Sequence, residues 1–155
     1  MKMKFVSYDI VFQEIPDEVT LALNLSGCPN RCRACHSPHL QQDMGEELTE
    51  SVLADLLRLY GNAVSCVCFM GGDGSPEQVL QLAKFVKRFH KKTAWYSGAS
   101  KLYENAQGCF DYIKLGSYIE TLGGLKSPVT NQRFYRIENA AMIDITNKFY
   151  LSVAS

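Results

Sequence analysis

Three thiols fall within eight residues in Cys28-Pro-Asn-Arg-Cys32-Arg-Ala-Cys35-His36, a C-x3-C-x2-C spacing. A segment this short can wrap three thiolates around one inorganic centre, but it cannot supply four sulfurs. An iron–sulfur cube ordinarily takes four cysteine ligands, so three close cysteines point to a cube with one iron left open. A structural zinc needs a fourth ligand instead, which His36 or His39 could provide. The spacing alone leaves both centres open.

Stepping outward, 155 residues fit one domain, 1–155, large enough to bury a core without staples. Sixteen basic residues balance sixteen acidic ones, which gives no electrostatic reason to expect nucleic acid or an anionic membrane as partner. No apolar run approaches the roughly 20 residues of a bilayer span. The start, Met-Lys-Met-Lys-Phe-Val-Ser-Tyr-Asp, turns polar too soon for a signal peptide. Clustered cysteines without signs of secretion suit a reducing compartment, so the expected location is cytoplasmic.

Strand-like and helix-like segments alternate along the chain. Thr20–Leu25 sets Leu21, Leu23 and Leu25 on one face at period two, the pattern of a strand, and leads through Ser26-Gly27 into the cysteine loop. Leu53, Leu56, Leu57 and Tyr60 repeat at helical spacing, with Thr49 as N-cap and Gly61 as stop. Val64–Phe69 reads as a second strand, closed by Met70-Gly71-Gly72-Asp73-Gly74. Ser75-Pro76-Glu77-Gln78 has the form of a capped helix start, and Val79, Leu82, Ala83 and Val86 form the buried stripe behind it. Thr93–Ser97 is a third strand, Lys101–Ala106 a short helix, and Phe110–Leu115 a fourth strand; Phe134–Ile137 and Met142–Ile145 each suit a further one.

Such alternation implies right-handed crossovers and a parallel sheet, with ligands gathered at the carboxyl ends of the strands. The cysteine loop, Gly71–Gly74, Ser97-Gly98 and Gly116 all fall at that end. This convergence favours an enzyme. Cys66 and Cys68, two apart on a strand, face one side and read as core, as does Cys109. His39 and His90 read as structural or exposed.

Beyond the cysteine motif, Gly71-Gly72-Asp73, Trp95-Tyr-Ser-Gly98, Asp111-Tyr-Ile-Lys-Leu-Gly116 and Asn131-Gln132-Arg133 carry a resemblance. The chain resembles small radical S-adenosylmethionine (SAM) enzymes, and among them the activating enzymes of anaerobic ribonucleoside-triphosphate reductase. The resemblance implies an α/β fold, an incomplete (partial) βα barrel with a parallel sheet, whose open side admits a macromolecular substrate. It implies a 4Fe-4S cluster on Cys28, Cys32 and Cys35, its open iron chelated by the methionine part of SAM. Electron transfer into the sulfonium would release methionine and a 5′-deoxyadenosyl radical, which takes hydrogen from a backbone glycine of the large reductase subunit and leaves a glycyl radical.

The same resemblance implies SAM contacts at Ala34, Cys35, His36, Gly71, Gly72 and Asp73, with the two glycines letting backbone carbonyls reach the ammonium of methionine. At the position of Ala34 many radical SAM enzymes carry an aromatic, and here the ring stands at His36. Ser97 and Lys114 are candidates for the ribose or carboxylate of SAM, although residues at strand ends are usually solvated. Asn131-Gln132-Arg133 would shape the partner's docking surface or fix a turn. A low-potential electron donor such as flavodoxin or ferredoxin would complete the system. Two alternatives stand beside this reading: another small radical SAM enzyme, with a different glycyl-radical partner or a small-molecule substrate, and a non-catalytic zinc-binding interaction module.

Overall fold

The computed structural model describes residues 3–26 and 45–149. The three motif cysteines, Ala34, His36 and His39 lie outside them. The strands are β1 (Lys4–Val11), β2 (Thr20–Leu25), β3 (Glu46–Glu47), β4 (Cys66–Met70), β5 (Lys92–Tyr96), β6 (Tyr112–Leu115), β7 (Arg133–Glu138) and β8 (Ala141–Asp144). Helix α1 (Glu50–Tyr60) follows β3, and α2 (Pro76–Lys87) joins β4 to β5. One sheet holds all eight strands in the order β3-β1-β2-β4-β5-β6-β7-β8.

The expected partial βα barrel with a parallel sheet is corrected by this architecture. The domain is small and mostly β, and its sheet is unclosed, with β3 and β8 at the two edges. Four of its seven pairings are antiparallel: β1 with β2 and β3, and β7 with β6 and β8. Parallel pairing is confined to the strip β2-β4-β5-β6. The physical reason lies in the connections. A parallel neighbour needs a crossover of a dozen or more residues, usually through a helix. Between β7 and β8 stand only Asn139 and Ala140, at φ 50° and 66°, the left-handed pair of a tight hairpin. From β1 the chain reaches β2 through residues 12–19, again with no crossover helix.

The period-two pattern sorts the central strands onto two layers. Leu21, Leu23, Leu25, Val67, Phe69, Trp95, Ile113 and Leu115 meet the buried stripes of α1 and α2 in one core. Cys66, Cys68, Ala94 and Tyr112 face the other way and are covered by Ile15, Phe134, Ile145 and Phe149. Thr49 caps α1, its hydroxyl accepting from the Val52 amide at 3.1 Å. The expected capping of α2 by Ser75 is replaced: Ser75 makes no side-chain cap bond, and the Gln78 carboxamide oxygen accepts from the Met3 amide at 3.0 Å. The helix expected over Lys101–Ala106 is absent; a 3-10 helix, Ala106–Gly108, stands in its place, entered from Asn105 at φ 68°. No described helix is long and apolar enough to cross a membrane.

At the amino ends of the parallel strands, Glu18 is buried and accepts hydrogen bonds from Ser65 at 2.7 Å, Lys92 at 2.9 Å and Tyr112 at 2.8 Å. Burial raises its carboxyl pKa, but the bonds from Lys92, Ser65 and Tyr112 outweigh burial and hold it below the ordinary value. A depressed carboxyl pKa stabilises the fold above the unfolded value of 4.5, and the contribution is lost as pH falls through the folded value. Glu18→Ala should therefore cost about 2 kcal/mol at neutral pH and less in acid, read from urea unfolding at several pH values. A cost independent of pH would count against the charged network.

Candidate functional site

Because β2, β4, β5 and β6 run parallel and adjacent, their carboxyl ends share one rim. The register aligns Asn24 with Met70, Met70 with Tyr96, and Tyr96 with Lys114. β2 delivers the chain to this rim at Ser26, whose amide donates to the Lys4 carbonyl at 3.0 Å, and the three-cysteine segment follows in sequence.

After β4 the chain turns through Gly71 and Gly72 at φ 102° and 86°, conformations open to glycine and costly for other residues. The two glycines are needed for different reasons. A Cβ on Gly71 would find ordinary contact distances, whereas one on Gly72 would lie 2.7 Å from Val79 Cγ2 and 2.8 Å from Leu25 Cδ1. Gly72 thus packs the turn down onto the helix-side core. The Gly71 amide donates to the Tyr96 carbonyl at 2.9 Å, and the Gly71 carbonyl accepts from the Trp95 indole N–H at 2.7 Å. The Gly72 carbonyl accepts from the Ser75 amide at 3.0 Å.

Asp73 fastens this turn to the end of β5. Its carboxylate accepts from the Ser97 hydroxyl and, at 2.9 Å, from the Gly98 amide. Two of the expected site residues are therefore in direct contact. Ser97 and Lys114 depart from the solvated state usual at strand ends, since both are buried. Lys114 lies beneath the rim, its ammonium donating to the Gly116 carbonyl at 3.0 Å and standing 5.6 Å from the centre of the Tyr96 ring. Asn131 and Gln132 fix the turn after β6: they donate to the Ser117 carbonyl at 3.1 Å and the Gly116 carbonyl at 3.3 Å. Arg133 pairs with Asp144 at 2.9 Å.

Trp95 is the rim residue that sequence reasoning left without a role of its own. Its signal was present: it shares the helix-side face with Phe69 on the neighbouring strand, one residue short of the glycine turn.

The remaining thiols are engaged elsewhere. Cys66, Cys68 and Cys109 are free cysteines, all buried. Burial pushes the Cys66 thiol up to about 12 and the Cys68 thiol well above its ordinary value, so neither offers a thiolate. Among the described residues no group of three or more His, Cys, Asp or Glu could hold a metal ion. The other three of the six cysteines, Cys28, Cys32 and Cys35, lie outside the described residues, and a trio of thiols is chemically suited to a cluster.

Residues 18–114 match the family described as the 4Fe-4S single cluster domain, a span that contains all three motif cysteines and the rim through β6. The chain belongs to that family. No curated protein and no solved structure was found to match it. Membership in the 4Fe-4S single cluster domain family makes this an iron–sulfur cluster-binding domain over well over half of the chain, linked in general terms to families associated with radical SAM chemistry. The same span carries the β4 turn and its Asp73–Ser97 latch, so the three-cysteine segment and the rim fall within one family match.

Proposed function

We propose that the chain is a radical SAM activase that generates a glycyl radical on anaerobic ribonucleoside-triphosphate reductase. The observation that carries the reading is the placement of the Gly71-Gly72-Asp73 turn on the strand next to the one that leads into the three-cysteine segment, within a 4Fe-4S family match. A zinc module would have no use for such a turn, held by bonds to its peptides and its carboxylate.

Cys28, Cys32 and Cys35 would hold the cluster, with Ala34 and His36 beside its open iron. When bound, cluster and SAM supply one-electron cleavage of the sulfonium, giving methionine and a 5′-deoxyadenosyl radical. The chain's own contribution is position. Gly72 and Asp73 would meet the aminoacyl end of SAM, and Ser97 would hold Asp73 in place as well as lying near the ribose. Lys114 brings a positive charge to the underside of the rim, where it would favour the carboxylate of SAM. The partners are the large reductase subunit and a low-potential donor such as flavodoxin or ferredoxin, in a cytoplasmic setting.

The experiment is anaerobic incubation of the reduced, cluster-loaded chain with SAM and a matched reductase subunit. A glycyl doublet in the electron paramagnetic resonance spectrum is the expected result. SAM cleavage without a doublet would move the assignment to another small radical SAM enzyme; neither signal would overturn it.

A further inference from the structure

Strand β1 runs from Lys4 to Val11, yet β3 covers only Lys4 and Phe5 on its outer side. A register shift between Phe5 and Ser7 falls where that pairing stops, and no other described strand lies beyond β1. From Ser7 to Phe12 the edge reads Ser-Tyr-Asp-Ile-Val-Phe. It carries one charge and neither lysine nor proline, the residues that ordinarily keep such edges from pairing. Tyr8 is 37% exposed and Phe12 69%.

Which backbone groups this edge offers follows from β2. The Ser26 amide turns toward β1 and donates to the Lys4 carbonyl, whereas the Val19 carbonyl turns toward β4 and accepts from the Ser65 amide. Alternation then turns Thr20, Ala22 and Asn24 toward β1, against their register partners Val11, Asp9 and Ser7. Between those residues, Tyr8 and Ile10 turn N–H and C=O outward. Their side chains sit on the helix side, opposite Leu23 and Leu21, with the Tyr8 ring beside that of Tyr60 and Ile10 against the core.

We propose that two copies of the chain pair antiparallel through this edge, with the twofold axis at Ile10. Residues directly opposite one another share a face, so few alignments of the edge are self-complementary. Centred on Ile10, Tyr8 meets the partner's Phe12 and Ile10 meets the partner's Ile10. The outward groups of Tyr8 and Ile10 then find partners, and aromatic and β-branched side chains face one another on the helix side. Centred one residue earlier, the two Asp9 carboxylates stand directly opposite, a destabilising pair. Centred on Ile10 they are diagonal, roughly 8 Å apart. Alignments centred nearer Phe5 run into β3. At its Val11 end β1 reaches the amino ends of the parallel strands, so the pairing leaves each rim uncovered. This inference does not depend on the SAM reading above.

The test is sedimentation of the full chain with reconstituted cluster from about 1 µM to about 1 mM. An edge this short buries less than a standard interface, so association depends on concentration within that range. A monomer–dimer equilibrium is the expected result, and a monomer throughout overturns the proposal. Phe12→Lys puts a charge at the pairing surface on a side chain that is 69% exposed; it should weaken dimerisation about tenfold. Ile143→Lys, on the opposite edge strand β8, should leave dimerisation unchanged. A dimer indifferent to Phe12→Lys overturns β1 as the interface, whatever Ile143→Lys does.

Amide hydrogen exchange on the wild type supplies a second readout that a folding defect cannot imitate. In concentrated protein the Tyr8 and Ile10 amides should slow severalfold relative to dilute protein, while Asp9 and Val11, already turned to β2, stay as they were. Slow exchange at Tyr8 and Ile10 in the dilute monomer would mean that the edge is filled within a single chain, which overturns the proposal.

Discussion

On the proposed reading, alanine at Cys28, Cys32 or Cys35 should abolish SAM cleavage and strip the protein of its iron, whereas Cys66→Ala should leave both intact: this is the largest effect expected of any substitution here. The contrast follows from where the thiols are spent. Cys66 has no exposed surface and its thiol is pushed up to about 12, so it carries no thiolate at neutral pH. Cys68 is equally buried beside it and Cys109 is closed into the other layer, so none of the three described thiols suits a metal centre. With Cys28, Cys32 and Cys35 as ligands, losing one would remove a corner of the cluster outright, whereas Cys66→Ala would open a small cavity costing about 1 kcal/mol. Iron, sulfide and zinc content after anaerobic purification, with the visible spectrum, check the result. Brown protein holding iron and sulfide is the outcome expected of the wild type. Colourless protein retaining stoichiometric zinc would support the interaction module, and loss of iron from a folded Cys66→Ala would refute the ligand assignment.

Gly72→Ala is the second large effect, and its comparison with Gly71→Ala separates two physical causes. Both substitutions place a Cβ on backbone at positive φ, costing about 1–2 kcal/mol. Only at Gly72 does the new carbon strike neighbours, Val79 at 2.7 Å and Leu25 at 2.8 Å, and both are fully buried and have nowhere to retreat. Overpacking adds about 1–3 kcal/mol there. Gly72→Ala should thus destabilise by about 2–5 kcal/mol and Gly71→Ala by about 1–2 kcal/mol, read as shifts in urea midpoint at unchanged slope. Equal costs at the two positions would mean that packing contributes nothing and that strain alone governs the turn.

Local pattern was legible in the sequence where one residue type answers one question. Period two on Leu21, Leu23 and Leu25 fixed β2, helical spacing fixed α1 and α2, and Thr49 caps as its type dictates. What the pattern does not carry is strand direction. Strands separated by helices suggest a parallel sheet, yet the described connections from β1 to β2, β6 to β7 and β7 to β8 hold no crossover helix, and β1, β7 and β8 turn back antiparallel. β1 itself went unread because Lys4–Val11 mixes exposed and buried positions without clean alternation. Lys101–Ala106 has helix-forming residues but ends at Asn105, which takes a left-handed conformation and leaves only a 3-10 turn.

At the site, glycine and aspartate types predicted a rim turn but not what holds it. Ser97 and Lys114 look solvated as strand-end residues; both are buried, Ser97 against Asp73, 24 residues away in sequence, and Lys114 against the Gly116 carbonyl and the Tyr96 ring. The Trp95 bond to Gly71 joins residues 24 apart in sequence and depends on the β4–β5 register.

Trp95 is the sole tryptophan in the chain, and its indole is joined to the Gly71–Gly72 turn. Ultraviolet emission excited at the red edge of the absorption band, where the eight tyrosines do not absorb, consequently has one origin. Its wavelength and lifetime read out the state of the glycine corner rather than an average over the molecule, so the metal-free chain already carries a label-free optical gauge of that corner.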